Sequence, residues 1–104
     1  MKYKNIGVIG AGAWGTALAQ SFARNGLPIT LWAFEDQVVS SINDRHINEL
    51  YLPGIILEEN IVVTKDMAQA FACDALVLVI PTQHIATTLE KFAKNIPGNV
   101  PILI

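Results

Sequence analysis

Apolar positions fall into short runs, and stretches with a helical repeat separate them. The first run, Ile6-Gly7-Val8-Ile9, is apolar, bounded by glycine and predicts a strand. From Trp14 onward, apolar or small residues recur at Ala17, Leu18, Ser21 and Phe22, the spacing of one helix face. Gly26 then supplies a left-handed end and Pro28 cannot continue the helix. Ile29 to Trp32 predicts a second strand. Glu35 and Asp36 open a second helix with Val38, Val39 and Ile42 on one side, the acidic pair favourably placed against the helix dipole. Asn43 to Asn60 reads as a loop with one short helical piece, and Tyr51-Leu52-Pro53-Gly54 as a turn within it. Ile61 to Thr64 predicts a third strand and Asp66 to Cys73 a short helix with Met67, Ala70 and Phe71 inward. Ala75 to Ile80 is apolar without alternation, as a central parallel strand covered on both faces requires. Pro81 ends it. Ile85, Leu89, Phe92 and Ala93 define a further helical face closed by Pro97-Gly98, and Pro101 to Ile104 begins a fifth strand.

Strand and helix alternate throughout, which implies right-handed crossovers and an α/β fold: a doubly wound, Rossmann-like parallel sheet in the order 3-2-1-4-5, cut near its fifth strand. The 104 residues make one domain, read as an N-terminal nucleotide-binding domain spanning 1–104. Composition refines this picture in three respects. The 52% hydrophobic content and mean hydropathy of +0.41 are high for a small independent domain. They fit a sheet buried on both faces, an interface toward a further domain, or both. Seven Lys and Arg against nine Asp and Glu, without a basic patch, argue against a nucleic-acid partner. The only apolar run near the N-terminus is too short for a membrane span or a signal core. The single cysteine, Cys73, has neither a disulfide partner nor a ligand cluster; it suits a reducing cytoplasm and reads as a small core filler. His46 reads as a surface residue, and no spacing suggests a metal site.

The chemistry concentrates in Gly10-Ala11-Gly12-Ala13-Trp14-Gly15, placed between the first strand and the first helix. Gly10 permits a tight turn, Gly12 removes a side chain that would obstruct a diphosphate, and Gly15 lets the helix pack near the strand. The free N–H groups of Ala11, Ala13, Trp14 and their glycine neighbours then face an anion, helped by the helix dipole. Twenty residues beyond Gly15, Glu35 either accepts hydrogen bonds from the ribose hydroxyls of a dinucleotide or simply begins the next helix. With no Lys or Arg in residues 33–37, the segment leans toward NAD over NADP. Phe34 either packs beside the adenine or under the loop that follows. His84, in Pro81-Thr82-Gln83-His84 after the fourth strand, touches the cofactor or is a solvated loop residue.

Gly10 to Ala19, read as GAGAWGTALA, resembles the opening signature of the NAD(P)-dependent glycerol-3-phosphate dehydrogenases. Trp14 between the later glycines separates it from generic turns of this kind. Leu31 to Asp36, Tyr51 to Gly54 and Ile80 to His84 agree, so the resemblance runs nearly the whole length. It implies interconversion of dihydroxyacetone phosphate and glycerol 3-phosphate with NAD or NADP, feeding glycerophospholipid synthesis. It also implies cofactor contacts at Gly10 to Gly15, Trp14 and Phe34, and a helical C-terminal domain carrying the catalytic residues beyond Ile104. On that expectation the 104 residues alone turn over no dihydroxyacetone phosphate, and a homodimer remains an option for the intact enzyme. Two other readings stay open: another dehydrogenase of the same N-terminal design (a ketopantoate reductase or β-hydroxyacid dehydrogenase), or a non-catalytic NAD(H)-sensing module.

Overall fold

The computed structural model describes residues 5–79 and the strand at 102–103. The chain runs β1 (Ile6–Ile9), α1 (Ala13–Arg24), β2 (Ile29–Trp32), α2 (Asp36–Arg45), β3 (Ile61–Thr64), α3 (Met67–Phe71), β4 (Ala75–Leu78) and β5 (Ile102–Leu103). The strands form one sheet in the order β3-β2-β1-β4-β5, with every pairing parallel. That is the expected order. The register is even across the centre: Ile9 lies opposite Trp32 on one side and Leu78 on the other.

Because β2 and β3 are laid to one side of β1 and β4 to the other, the carboxyl ends of β1 and β4 flank the point where the winding reverses. In open α/β sheets ligands bind outside that point. The strands are buried enough to explain their apolar runs. Val8, Ile9 and Leu31 are wholly inaccessible, Ile29 and Leu76 nearly so, and Cys73 is buried as well. Burial pushes the Cys73 thiol above its ordinary range, which disfavours the reactive thiolate.

The inward face of α1 differs from the expected one. Gly15, Thr16, Ala19 and Ala23 are buried, whereas Ala17 and Ser21 are exposed and Leu18 and Phe22 pack at the flanks. Bulk is a poor marker of the inward side here, since a helix lying close to a sheet needs small residues along the line of contact. The end of α1 follows expectation: Gly26, at φ 89°, donates its N–H to the Ala23 carbonyl at 2.9 Å.

Residues 46–60 hold no helix, so the short helical piece expected there is absent. His46 ends α2 in a left-handed conformation, an antiparallel bridge joins Asn48 and Leu52, and Leu57 closes the loop against the core. His46 is also more buried than expected, with Nδ1 shielded from solvent. The helix expected over 66–73 is shorter, because Asp66 caps α3 by accepting the Ala68 N–H at 3.0 Å. Replacing that carboxylate (Asp66→Ala) removes the cap and is expected to cost about 1 kcal/mol in a urea unfolding curve. Strand β4 ends at Leu78, although the Val79 N–H still reaches the Ile9 carbonyl at 2.9 Å. The expected continuation to Ile80, the helix through Ile85 to Ala93, and His84 lie outside the described residues.

Candidate functional site

The glycine turn leaves the carboxyl end of β1 at the reversal point of the sheet. The Gly10 N–H donates to the Trp32 carbonyl at 3.1 Å, and its φ of 120° lies where side chains are rarely tolerated. A Cβ there would also collide with the Val79 carbonyl oxygen. Gly15 is buried in the first turn of α1, and a Cβ on it would run into the Gly10 carbonyl oxygen. These two glycines therefore serve the fold. Gly12 is different. It is the N-cap of α1 in an extended conformation, and a Cβ placed on it meets none of the described residues within 4 Å. Glycine is an acceptable N-cap, but packing against the described residues does not demand it; open space in front of a helix start gives it a further use.

Electrostatics point the same way. The 12-residue α1 has no acidic residue in its first turn and no side-chain capping bond at its N-terminus, so none of the described side chains answers the partial positive charge there. Ala13 and Trp14 stand exposed at this mouth, Trp14 at 76%.

The second cluster lies where β2 passes into α2. Phe34 is 74% exposed, its ring tilted at 58° to Trp32 with centroids 6.4 Å apart. A free aromatic face of this kind, outside the core, is available to a flat ring. Glu35 is the N-cap of α2 yet makes no capping bond with its side chain. Its carboxylate instead accepts the Tyr51 hydroxyl at 2.5 Å. Glu35 thus begins the helix, as one of the two readings has it, through its backbone carbonyl, while its carboxylate turns to Tyr51. Asp36 pairs with Lys65 at 2.7 Å, and Trp32 Nε1 donates to the Lys65 carbonyl at 2.9 Å. Among the described residues no group of three or more His, Cys, Asp or Glu could hold a metal ion.

Glu35 raises the Tyr51 phenol above its ordinary range, chiefly through the hydrogen bond the neutral phenol donates, with burial and the carboxylate charge adding to it. In Glu35→Gln the charge goes and the phenol should titrate lower. Ultraviolet titration of the tyrosinate band, with Tyr51→Phe to assign the signal, checks this.

The sequence reading missed Tyr51 and Lys65 as members of this edge. Tyr51 was visible only as part of a turn and Lys65 only as a residue after the third strand. The absence of Lys and Arg from residues 33–37 holds along the chain, but β3 pairs with β2 and sets Lys65 beside Asp36 across the sheet.

A parallel sheet in this order, with a glycine turn feeding the head of a helix at the reversal point, defines a Rossmann-like α/β domain of the doubly wound class. Within that class the chain belongs to the family described as NAD-dependent glycerol-3-phosphate dehydrogenase N-terminus, whose model matches residues 5–104. A glycerol-3-phosphate dehydrogenase [NAD(P)+] from Maricaulis maris is 46% identical over 103 residues, covering 99% of this chain and 31% of that protein. One from Caulobacter vibrioides is 46% identical over 104 residues, covering 100% and 31%. Among solved structures, glycerol-3-phosphate dehydrogenase from Coxiella burnetii superposes with a TM-score of 0.89 at 27% identity, over 95% of this chain and 31% of that one. The Saccharomyces cerevisiae enzyme gives 0.88 at 31% identity, over 97% and 33%. An arogenate dehydrogenase from Synechocystis, at 21% identity and a TM-score of 0.71, shares the fold. The chain thus spans 31% of the length of the curated relatives just named.

Proposed function

We propose that this chain is the cofactor-binding domain, residues 1–104, of an oxidoreductase that interconverts dihydroxyacetone phosphate and sn-glycerol 3-phosphate with NAD or NADP. The observation that carries the reading is the space that the described residues leave before Gly12, at a head of α1 that none of their side chains caps. The residues present fit a dinucleotide along the carboxyl edge of the sheet. Backbone N–H groups of Ala11, Gly12, Ala13, Trp14 and Gly15 form the cradle for its diphosphate, as amides at a helix start suit a doubly charged group, while Gly10, its own N–H held by the Trp32 carbonyl, makes the turn that presents them. Phe34 offers its exposed face to the adenine. Glu35 receives the ribose hydroxyls and, being negative, disfavours a 2′-phosphate, so NAD is the preferred cofactor. His84, which follows the fourth strand in the sequence, is assigned a contact with the cofactor.

When bound, the dinucleotide supplies or accepts the hydride. The part of this chain is to bind and orient it, which lowers the entropic cost of bringing donor and acceptor together. No helix among the described residues is long and apolar enough to cross a membrane. We assign the protein to the cytoplasm, where the lone thiol of Cys73 stays reduced.

The test is a titration of the full-length gene product with NADH and NADPH, following Trp14 and Trp32 fluorescence, together with an assay of dihydroxyacetone phosphate reduction. Binding of NADH more tightly than NADPH, with reduction of the ketone, supports the reading. Binding of neither dinucleotide overturns it.

A further inference from the structure

Asn48 is a wholly buried polar residue in the loop between α2 and β3, far along the chain from the glycine turn. Its carboxamide is fully engaged. Nδ2 donates to the Ala11 carbonyl at 2.9 Å and to Thr16 Oγ1 at 2.8 Å, while Oδ1 accepts the Tyr51 N–H at 3.2 Å. Thr16 Oγ1 in turn donates to the same Ala11 carbonyl at 3.3 Å. Two buried side chains therefore converge on one carbonyl inside the turn. The loop that carries Asn48 is itself held firmly: Ser41 Oγ bonds the Ile47 carbonyl, and the Glu49 N–H reaches Ser41 Oγ at 3.2 Å.

The consequence lies in the planarity of the peptide group. The described chain contains no cis peptide, so the Ala11 carbonyl and the Gly12 N–H point in opposite directions from their shared plane. A carbonyl drawn into the protein sends that N–H outward, toward the side of Gly12 that the described residues leave open. We propose that Asn48 is a positioning residue for the diphosphate turn: by holding the Ala11 carbonyl inward it aims the Gly12 N–H at the ligand. The proposal rests on the reading of residues 10–15 as the diphosphate cradle. It also explains why an asparagine is buried here. Its amide must donate on one side and accept on the other, which neither aspartate nor leucine can do at the same volume.

The same loop carries Tyr51 to Glu35, so one segment braces both ends of the adenosine diphosphate region: the turn through Asn48 and the ribose carboxylate through Tyr51. A ligand lacking the diphosphate has no use for the first brace. That separates a positioning role from a merely structural one.

The experiment uses the full-length gene product and measures binding of ADP-ribose and of adenosine to wild type, Asn48→Asp and Thr16→Val. Circular dichroism reports whether each variant folds. Asn48→Asp replaces the donor facing Ala11 with an acceptor; Thr16→Val removes the second donor without adding charge. In each folded variant the Kd for ADP-ribose is expected to rise roughly tenfold, the size of one misdirected buried hydrogen bond, while that for adenosine stays put. Unchanged ADP-ribose binding in a folded variant, equal weakening of both ligands, or failure of both variants to fold overturns the proposal. Failure of wild type to bind ADP-ribose or NADH is a different result: it overturns the reading of the turn, and the proposal with it.

Discussion

Gly12→Val is expected to leave the fold standing and to abolish dinucleotide binding. At Gly12 the backbone is extended, with φ of −74° and ψ of −169°, a conformation open to any side chain, and a Cβ there meets none of the described residues within 4 Å. Valine is a poorer N-cap than glycine, so some helix stability goes, about 1 kcal/mol at most. Binding should suffer far more. The branched side chain would stand in front of the amides that receive the diphosphate, and hydrogen bonds to a charged group contribute roughly 1.5–3 kcal/mol each. Loss of two raises the Kd for NADH by about a hundredfold or more. Fluorescence titration reads the binding, and thermal unfolding by circular dichroism reads the fold. A valine variant that binds NADH as wild type does would place the diphosphate elsewhere.

The opposite outcome is expected three residues on. Gly15→Ala should damage the fold first. In an ordinary helix interior, alanine is favoured over glycine by about 1 kcal/mol. Here the added Cβ would overlap the Gly10 carbonyl oxygen, a backbone atom fixed by the end of β1 and unable to swing aside. Helix and strand would have to separate, at a net cost of about 2–3 kcal/mol by the range found for overpacked cores. In the full-length gene product that cost appears as a lower Tm. A thermal melt checks it: an alanine variant at least as stable as wild type would mean that helix and strand are not in contact at Gly15. The two substitutions together sort the motif into a glycine kept for the ligand and a glycine kept for packing.

Much of this architecture was legible in the order of residues. Short apolar runs mark the strands, uniformly buried in β1 and alternately in β2 and β3, and Ile6–Ile9, Ile29–Trp32 and Ile61–Thr64 stand at the expected boundaries. The glycine turn was legible because its three glycines sit beside one another in the chain. What was hidden is of two kinds. The inward face of α1 is a line of small residues, Gly15, Thr16, Ala19 and Ala23, which a search for bulky apolar positions passes over. The rest depends on contacts across the sheet. Tyr51 meets Glu35 from 16 residues away, Lys65 meets Asp36 from 29, and Asn48 meets Ala11 from 37. Polar residues in a loop carry no periodic pattern, so nothing local marks which strand end they will reach. The Tyr-Leu-Pro-Gly segment shows the difference: its turn was readable, the destination of its hydroxyl was not.

The most direct measurement is a crystal structure of the full-length protein grown with NADH. Phosphate oxygens should lie within hydrogen-bond distance of the Gly12 and Ala13 N–H groups at the head of α1. A dinucleotide lodged at any other part of the molecule, with that helix start left facing solvent, would contradict the account.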